Sequence, residues 1–144
     1  MKSVPDPGTL YSYFATKEEI FATLTTGATL VLRAIEMLPA ASTFMKMCAE
    51  REITVLDLPT AYWNELAANT TTQDWEAADK LRLVILGGEK AHPETVQKFR
   101  ERVGPQVSLK NGYGPTETTI VATWTEIVTP QDGEPDNREV AIGR

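Results

Sequence analysis

The residues best suited to chemistry form one polar turn, Asn111 to Thr119, which lies between two apolar runs. Two glycines and a proline within four positions favour a tight turn, because glycine adopts positive φ and proline fixes its own φ. Tyr113 offers an aromatic face that can stack on a planar ring. Asn111 can donate and accept hydrogen bonds at the edge of a nucleobase. The first half of the turn therefore has the residue types of a nucleobase site.

The second half of the turn carries groups suited to phosphate. The Thr116 hydroxyl can reach a phosphate oxygen, whereas the neighbouring Glu117 carboxylate would repel phosphate unless a cation lay between them. A carboxylate together with substrate phosphates is the usual way in which proteins hold Mg²⁺. The turn therefore predicts a nucleotide site with a metal ion. The alternative is a polar surface turn between two strands.

Apolar runs and helical patterns alternate along the chain and predict the elements that position this turn. Strands are expected at residues 28–32, 53–58, 81–86, 107–110 and 120–127, helices at 16–24, 42–51, 60–68 and 93–103, and loops at 1–9 and 69–74. The strands are apolar runs without a two-residue period. This pattern is typical of an α/β fold in which helices cover both faces of a largely parallel sheet.

Polar or glycine positions follow three of the predicted strands. Asp57, Gly87-Gly88 and Asn111-Gly112 all lie at predicted carboxyl ends. Right-handed crossovers bring such ends to one edge of the sheet, and ligands of these sheets bind outside that edge. Glycines there let a ligand approach the backbone, although an ordinary strand-to-helix turn is the alternative at Gly87-Gly88. The sequence therefore predicts a pocket at this edge.

Composition limits the other function classes. The 144 residues suit a single α/β piece, residues 1–144. The net charge is −6 and there is no Lys/Arg-rich run, so neither nucleic acid nor an anionic membrane is an expected partner. No apolar run approaches the ~20 residues that span a membrane. The single cysteine, Cys48, cannot form an internal disulfide, which fits a cytoplasmic location. We interpret Cys48 as a core residue.

The run Asn111 to Thr119 resembles the adenine- and phosphate-binding motif of adenylate-forming enzymes, in particular the adenylation domains of non-ribosomal peptide synthetases. Gly87-Gly88-Glu89 resembles the segment that lines the adenine and acyl pockets in that family. Residues 13–32 are similar to a segment that starts Phe-Asp and ends Glu-Ile-Phe. The resemblance extends from about residue 13 to residue 144, an internal part of the family's large N-terminal domain.

The resemblance implies that the parent enzyme uses ATP and Mg²⁺ to join a carboxylic acid to AMP. It then loads the acyl group onto the phosphopantetheine thiol of a carrier domain. Thr116 and Glu117 would take part in the chemistry, with Glu117 holding Mg²⁺. The ATP- or AMP-binding residues implied are Gly88, Glu89, Asn111, Gly112, Tyr113, Gly114 and Thr116. The acyl-pocket residues implied are Phe14, Ala15, Glu18, Asp57, Ile85, Gly87, Gly112, Ile120 and Val121.

The sequence departs from the family pattern at Phe14. Amino-acid-activating members typically carry an Asp there, which pairs with the α-ammonium group of the substrate. A buried ammonium without a partner is costly. Either Asp57 or Glu18 holds an ammonium from another direction, or the substrate is an aryl, keto or hydroxy acid without an α-amino group. A different alignment of this helix is the remaining alternative.

Several family features are not found in the sequence. These are a phosphate loop that ends in Lys, an Asp for the ribose hydroxyls and a Lys on a small C-terminal domain. We therefore expect a fragment that is inactive without the rest of the parent adenylation domain. Two other interpretations stay open: a stand-alone acyl- or aryl-CoA ligase of the same superfamily, and a non-catalytic nucleotide-binding scaffold module.

Overall fold

The computed structural model describes residues 2–4, 20–31, 40–118, 121–127 and 139–143. Within these ranges the strands are β1 (Lys2–Val4), β2 (Thr29–Leu30), β3 (Val55–Pro59), β4 (Leu83–Gly87), β5 (Ser108–Tyr113) and β6 (Thr123–Glu126). The helices are α1 (Ala41–Glu50), α2 (Thr60–Asn69), α3 (Thr72–Ala77) and α4 (Pro93–Val103), and residues 20–25 are also helical. A short 3₁₀ helix covers Thr116–Thr118.

The strands form one mixed sheet in the order β2-β1-β3-β4-β5-β6. All neighbouring pairs are parallel except β5 and β6, which are antiparallel. Pro59 lies opposite Gly87, and Leu86 lies opposite Asn111, so the carboxyl ends of β3, β4 and β5 meet at one edge. We call this edge the carboxyl edge; it is where the pocket was predicted.

The hydrophobic core lies between the sheet and the helices. Because β3, β4 and β5 follow one another in space as in sequence, right-handed crossovers place α2, α3 and α4 on one face. Alternate strand residues point to that face and are fully or almost fully buried: Leu56, Leu58, Val84, Leu86 and Leu109. The helices pack aromatic residues against them, and the Phe99 ring meets the rings of Trp63 and Trp75 edge-on at 5.6 and 5.0 Å. This packing holds the strand ends in fixed register.

The predicted fold class, a largely parallel sheet flanked by helices, is confirmed. The prediction of a loop at residues 1–9 is wrong for Lys2–Val4, which forms a strand between β2 and β3. The loop predicted at residues 69–74 is also wrong in part, because α3 begins at Thr72. The Thr71 hydroxyl and the Asp74 carboxylate cap its first turn reciprocally, and this capping box starts the helix.

The strand limits around the polar turn also differ from the predictions. β5 continues through Tyr113, so Asn111 and Gly112 belong to the strand and the turn begins later. β6 is shorter than the predicted run and starts at Thr123. Asp57 lies in the middle of β3 and not at its end, because the strand continues to Pro59. In the part of the chain that the structure describes, no helix combines the length and apolar character needed to cross a membrane.

Candidate functional site

The turn after β5 is tight and internally hydrogen-bonded. The Pro115 carbonyl accepts hydrogen bonds from the Thr118 backbone N–H at 3.0 Å and from the Thr118 hydroxyl at 2.9 Å. The Ala122 N–H donates to the Tyr113 carbonyl at 2.8 Å and joins the two ends of the turn. The predicted turn between two strands is therefore present, and local contacts fix the backbone of its described residues.

The side chains of this turn that the structure describes are open to a ligand. Tyr113 ends β5 and is 44% exposed. Glu117 is exposed on the 3₁₀ helix. The backbone of Thr116 belongs to the same helix, whereas its side chain, Thr119 and Ile120 lie outside the described part of the structure. An aromatic face and a carboxylate are thus available four residues apart.

Asn111 is buried rather than open, with only 3% of its surface exposed. Its Nδ2 donates a hydrogen bond to the Ala141 carbonyl at 2.9 Å. Residues 139–143, which we call the edge segment, also contact the loop after β4 and the strand β6. Lys90 contacts Glu139 at 2.5 Å, and the Thr123 hydroxyl donates to the Ile142 carbonyl. The Asn111 amide therefore ties β5 to the edge segment, a contact that the sequence analysis did not include.

The Gly87-to-Lys90 loop lies beside the turn, as predicted. Gly88 has φ of 88°, a left-handed conformation that favours glycine. The hydroxyl of Thr60, which is fully buried at the start of α2, donates to the carbonyls of Gly87 at 3.2 Å and Glu89 at 3.1 Å. Sequence reasoning missed Thr60 as a positioning residue. Its partners lie 27 and 29 positions away, so no local pattern could reveal them.

The structure brings together four of the residues predicted for the acyl pocket. Asp57 and Ile85 are register partners, and a Cβ placed on Gly87 would lie 3.5 Å from the Gly112 carbonyl oxygen. All four alternate with buried core residues, so they share the sheet face opposite α2–α4. Of the other predicted acyl-pocket residues, Val121 is half-buried beyond the turn. Phe14, Ala15, Glu18 and Ile120 lie outside the described residues.

The pKa values of Glu139 and Cys48 are shifted, the first by a charged hydrogen-bond donor and the second by burial. The Lys90 ammonium donates a hydrogen bond to Glu139, and this bond together with its charge lowers the pKa of that carboxyl. Burial raises the pKa of the Cys48 thiol from its ordinary 9.0 to about 12, so the thiolate needed for nucleophilic attack does not form near neutral pH. Cys48 is a core residue, as predicted.

A metal ion would depend on Glu117 together with substrate. Among the residues that the structure describes, no three His, Cys, Asp or Glu side chains form a group that could hold a metal. An exposed single carboxylate nevertheless fits Mg²⁺, which usually keeps several waters and takes only one or two protein carboxylates beside substrate phosphates. The donor set therefore suits a metal that arrives with a nucleotide.

Comparison with known proteins identifies relatives of nearly the whole chain. The family model described as "AMP-binding enzyme" matches residues 8–144. An isonitrile lipopeptide synthase of Streptomyces coeruleorubidus is 47% identical over 113 residues, which are 78% of this chain and 8% of the relative. Surfactin synthase subunit 2 of Bacillus subtilis is 37% identical over 112 residues, which are 78% of this chain and 3% of that protein.

A solved structure has the same fold. It is described as holo-PA1221, an NRPS protein containing adenylation and PCP domains bound to a vinylsulfonamide inhibitor. It superimposes with a TM-score of 0.80 at 24% identity, over 100% of this chain and 23% of that chain. The chain thus spans less than a tenth of the two relatives' length and about a quarter of the solved chain. The resemblance found in the sequence is confirmed.

Proposed function

We propose, because the chain belongs to the family of AMP-binding enzymes, that the protein containing it converts a carboxylic acid and ATP to an acyl-adenylate and pyrophosphate. One observation carries the proposal: the Tyr113-to-Glu117 turn and the Gly87-to-Glu89 loop lie side by side at the carboxyl edge. Leu86 and Asn111 are register partners, and they lie one residue before the loop and two residues before the turn, respectively. This edge is where ligands of parallel sheets bind.

The reaction needs positioning more than covalent chemistry from the protein. A carboxylate oxygen of the acid attacks the α-phosphorus of ATP, and the bond from that phosphorus to the β-phosphate bridging oxygen breaks, so that pyrophosphate leaves. Holding the two reactants together removes a large entropic barrier, and charge neutralisation lowers the remaining one. When bound, Mg²⁺ would supply part of that neutralisation beside Glu117.

The nucleotide would be held mainly by the turn. The exposed Tyr113 ring would stack on adenine, and the Thr116 hydroxyl would donate to the α-phosphate. Gly114 and Gly88 leave the backbone accessible to the nucleotide. By the family resemblance Asn111 would contact the adenine edge, through the 3% of its surface that is exposed, while its Nδ2 keeps the edge segment in place. The backbone of Gly112 and Glu89 completes the proposed nucleotide site.

The acid would lie at the carboxyl edge, on the sheet face opposite α2–α4, against Asp57, Ile85, Gly87 and Gly112. We place Phe14, Ala15, Glu18, Ile120 and Val121 around it by the family resemblance. Because Phe14 replaces the usual Asp, an acid without an α-amino group is favoured unless Asp57 or Glu18 pairs with the ammonium. The acyl group would then pass to the phosphopantetheine thiol of a carrier domain.

The test is acid-dependent exchange of pyrophosphate into ATP, measured with the complete protein that contains residues 1–144. We expect exchange with at least one amino, keto, hydroxy or aryl acid, and none without acid. Tyr113→Ala should raise the KM for ATP and leave the order of preference among acids unchanged, since it removes only the nucleotide contact. No exchange with any acid class from a folded protein would refute the proposal and favour a non-catalytic scaffold.

Two further expectations concern the activity of residues 1–144 alone and the location of the protein in the cell. Residues 1–144 alone should show no exchange above background, because the remaining phosphate and ribose contacts belong to the rest of the adenylation domain. The expected cytoplasmic location stays a prediction from cysteine usage.

A further inference from the structure

Trp124 is a large apolar side chain that the nucleotide and acyl contacts above do not use. It lies on β6 and is 43% exposed. It pairs directly with Gly112 across the antiparallel β5–β6 ladder. Residues directly opposite each other in such a ladder point to the same face. Trp124 therefore belongs to the face that carries Gly87 and Gly112, away from the helical core.

The Trp124 indole occupies the space beside Gly112. A Cβ placed on Gly112 would lie 2.8 Å from Cζ3 of the indole and 3.1 Å from Cε3 and Cη2. The shortest of these distances is too short for carbon atoms in contact and the other two are tight, so Gly112 and Trp124 form a matched pair of small and large residues. A Cβ placed on Gly87, in contrast, would make an ordinary contact. The two glycines thus form a flat floor, and the indole forms a wall at its β6 side.

On this sheet face, the row of residues at the carboxyl edge is uncharged, whereas the next row toward the amino ends of the parallel strands contains charged residues. The edge row is Pro59, Gly87, Gly112 and Trp124, and none of these is charged. The next row, two residues toward the amino ends of the parallel strands, is Asp57, Ile85, Lys110 and Glu126. A ligand that lies along the edge row contacts apolar surface. Only a part that extends inward reaches charged groups.

We propose that Trp124 is a specificity-determining residue of the acid pocket. Its indole packs against the acyl group, and the part of the acyl group that fits between the glycine floor and the indole wall is narrow and uncharged. This inference rests on the proposed acid-activating function and deepens it by naming the substrate class. Trp124 takes no part in the transfer to the α-phosphate, so its removal changes which acid reacts and not how ATP binds.

The test compares kcat/KM for a panel of acids between the complete wild-type protein and Trp124→Ala. The panel pairs straight-chain acids with branched or bulky aryl acids of similar length. We expect Trp124→Ala to shift the preference toward the bulky acids by about 10- to 100-fold, the usual effect of a few carbon atoms in an apolar pocket. The KM for ATP should stay unchanged. Trp124→Phe, which keeps a smaller ring, should give an intermediate preference.

Thr125→Ala is the matched control, because Thr125 is the next residue of β6 and pairs with Asn111 on the other face. It should leave the acid preference unchanged. A second check uses Gly112→Ala, which should impair the reaction of every acid because the new methyl group meets the indole. Adding Trp124→Ala to it should restore part of the activity.

The outcomes separate this inference from the proposed function. A folded wild-type protein without any exchange refutes the proposed function and this inference with it. If the wild type is active but Trp124→Ala lowers kcat/KM equally for all acids, Trp124 has only a structural role and the inference is wrong. If Trp124→Ala does not fold, Trp124→Phe decides: an unchanged ratio of bulky to narrow acids overturns the proposal.

Discussion

Replacing Thr60 with valine tests whether a buried hydroxyl fixes the Gly87-to-Glu89 loop. Valine has nearly the same shape and differs mainly by a methyl group in place of the hydroxyl. In the structure this hydroxyl donates part-buried hydrogen bonds to the carbonyls of Gly87 and Glu89, and Thr60 itself is fully buried. A hydrogen bond to such part-buried carbonyls contributes about 0.5–1.5 kcal/mol to stability. We expect Thr60→Val to lower the free energy of unfolding by about this amount.

The same substitution should act most strongly on the loop itself. A local loss of about 0.5–1.5 kcal/mol corresponds to about 2- to 13-fold faster amide hydrogen exchange where the loop opens locally. Hydrogen–deuterium exchange of a peptide that covers residues 87–91 measures this directly. Thr60→Ser is the control, because it keeps the donor and loses one methyl group, at about 0.8 kcal/mol. Equal exchange in the Val and Ser variants would refute the reasoning, because the hydroxyl would then not fix the loop.

Three other predictions follow from single contacts. Gly88→Ala should lower the free energy of unfolding, measured in urea, by about 1–2 kcal/mol, because φ is 88° there. Gly87→Ala should lower it less. Equal losses in the two variants would contradict the strain argument. Asn111→Leu should lower the free energy of unfolding by about 0.5–1.5 kcal/mol because the hydrogen bond to the Ala141 carbonyl is lost, and an unchanged unfolding midpoint would count against this contact. The Cys48 thiol should resist iodoacetamide at pH 8 unless the protein unfolds. Because its pKa rises from 9.0 to about 12 on folding, stability should fall as pH increases between these values; labelling of the folded protein at pH 8 would disprove its burial.

The parts of the fold that rest on long apolar runs could be predicted from the sequence. Residues 81–86 read as a buried strand, and β4 covers almost the same residues. The proline that begins α4 and the glycine that follows its end were both visible in the sequence. Parallel strands that are joined through helices follow right-handed crossovers, which bring their carboxyl ends to the same edge of the sheet. The convergence of Gly87 and Gly112 at one edge could therefore be predicted as well.

The parts that were missed depend on partners distant in the sequence. Lys2–Val4 has no apolar run of its own and forms a strand by pairing on both sides, with β2 and β3. The Thr60 hydroxyl and the contact of Trp124 with Gly112 likewise exist only after the strands are in register. Asp57 was placed at a strand end because Pro59 was taken to stop the strand, whereas Pro59 is both the last residue of β3 and the N-cap residue of α2.

The most direct test of the account is the affinity of the complete protein for ATP, measured by calorimetry with and without Mg²⁺, for the wild type and Glu117→Gln. Glutamine keeps the size of the side chain and removes its charge. If the carboxyl edge holds ATP through Tyr113 and a metal at Glu117, Mg²⁺ should strengthen ATP binding to the wild type and have much less effect on Glu117→Gln. Binding that responds to Mg²⁺ equally in both proteins would contradict the account.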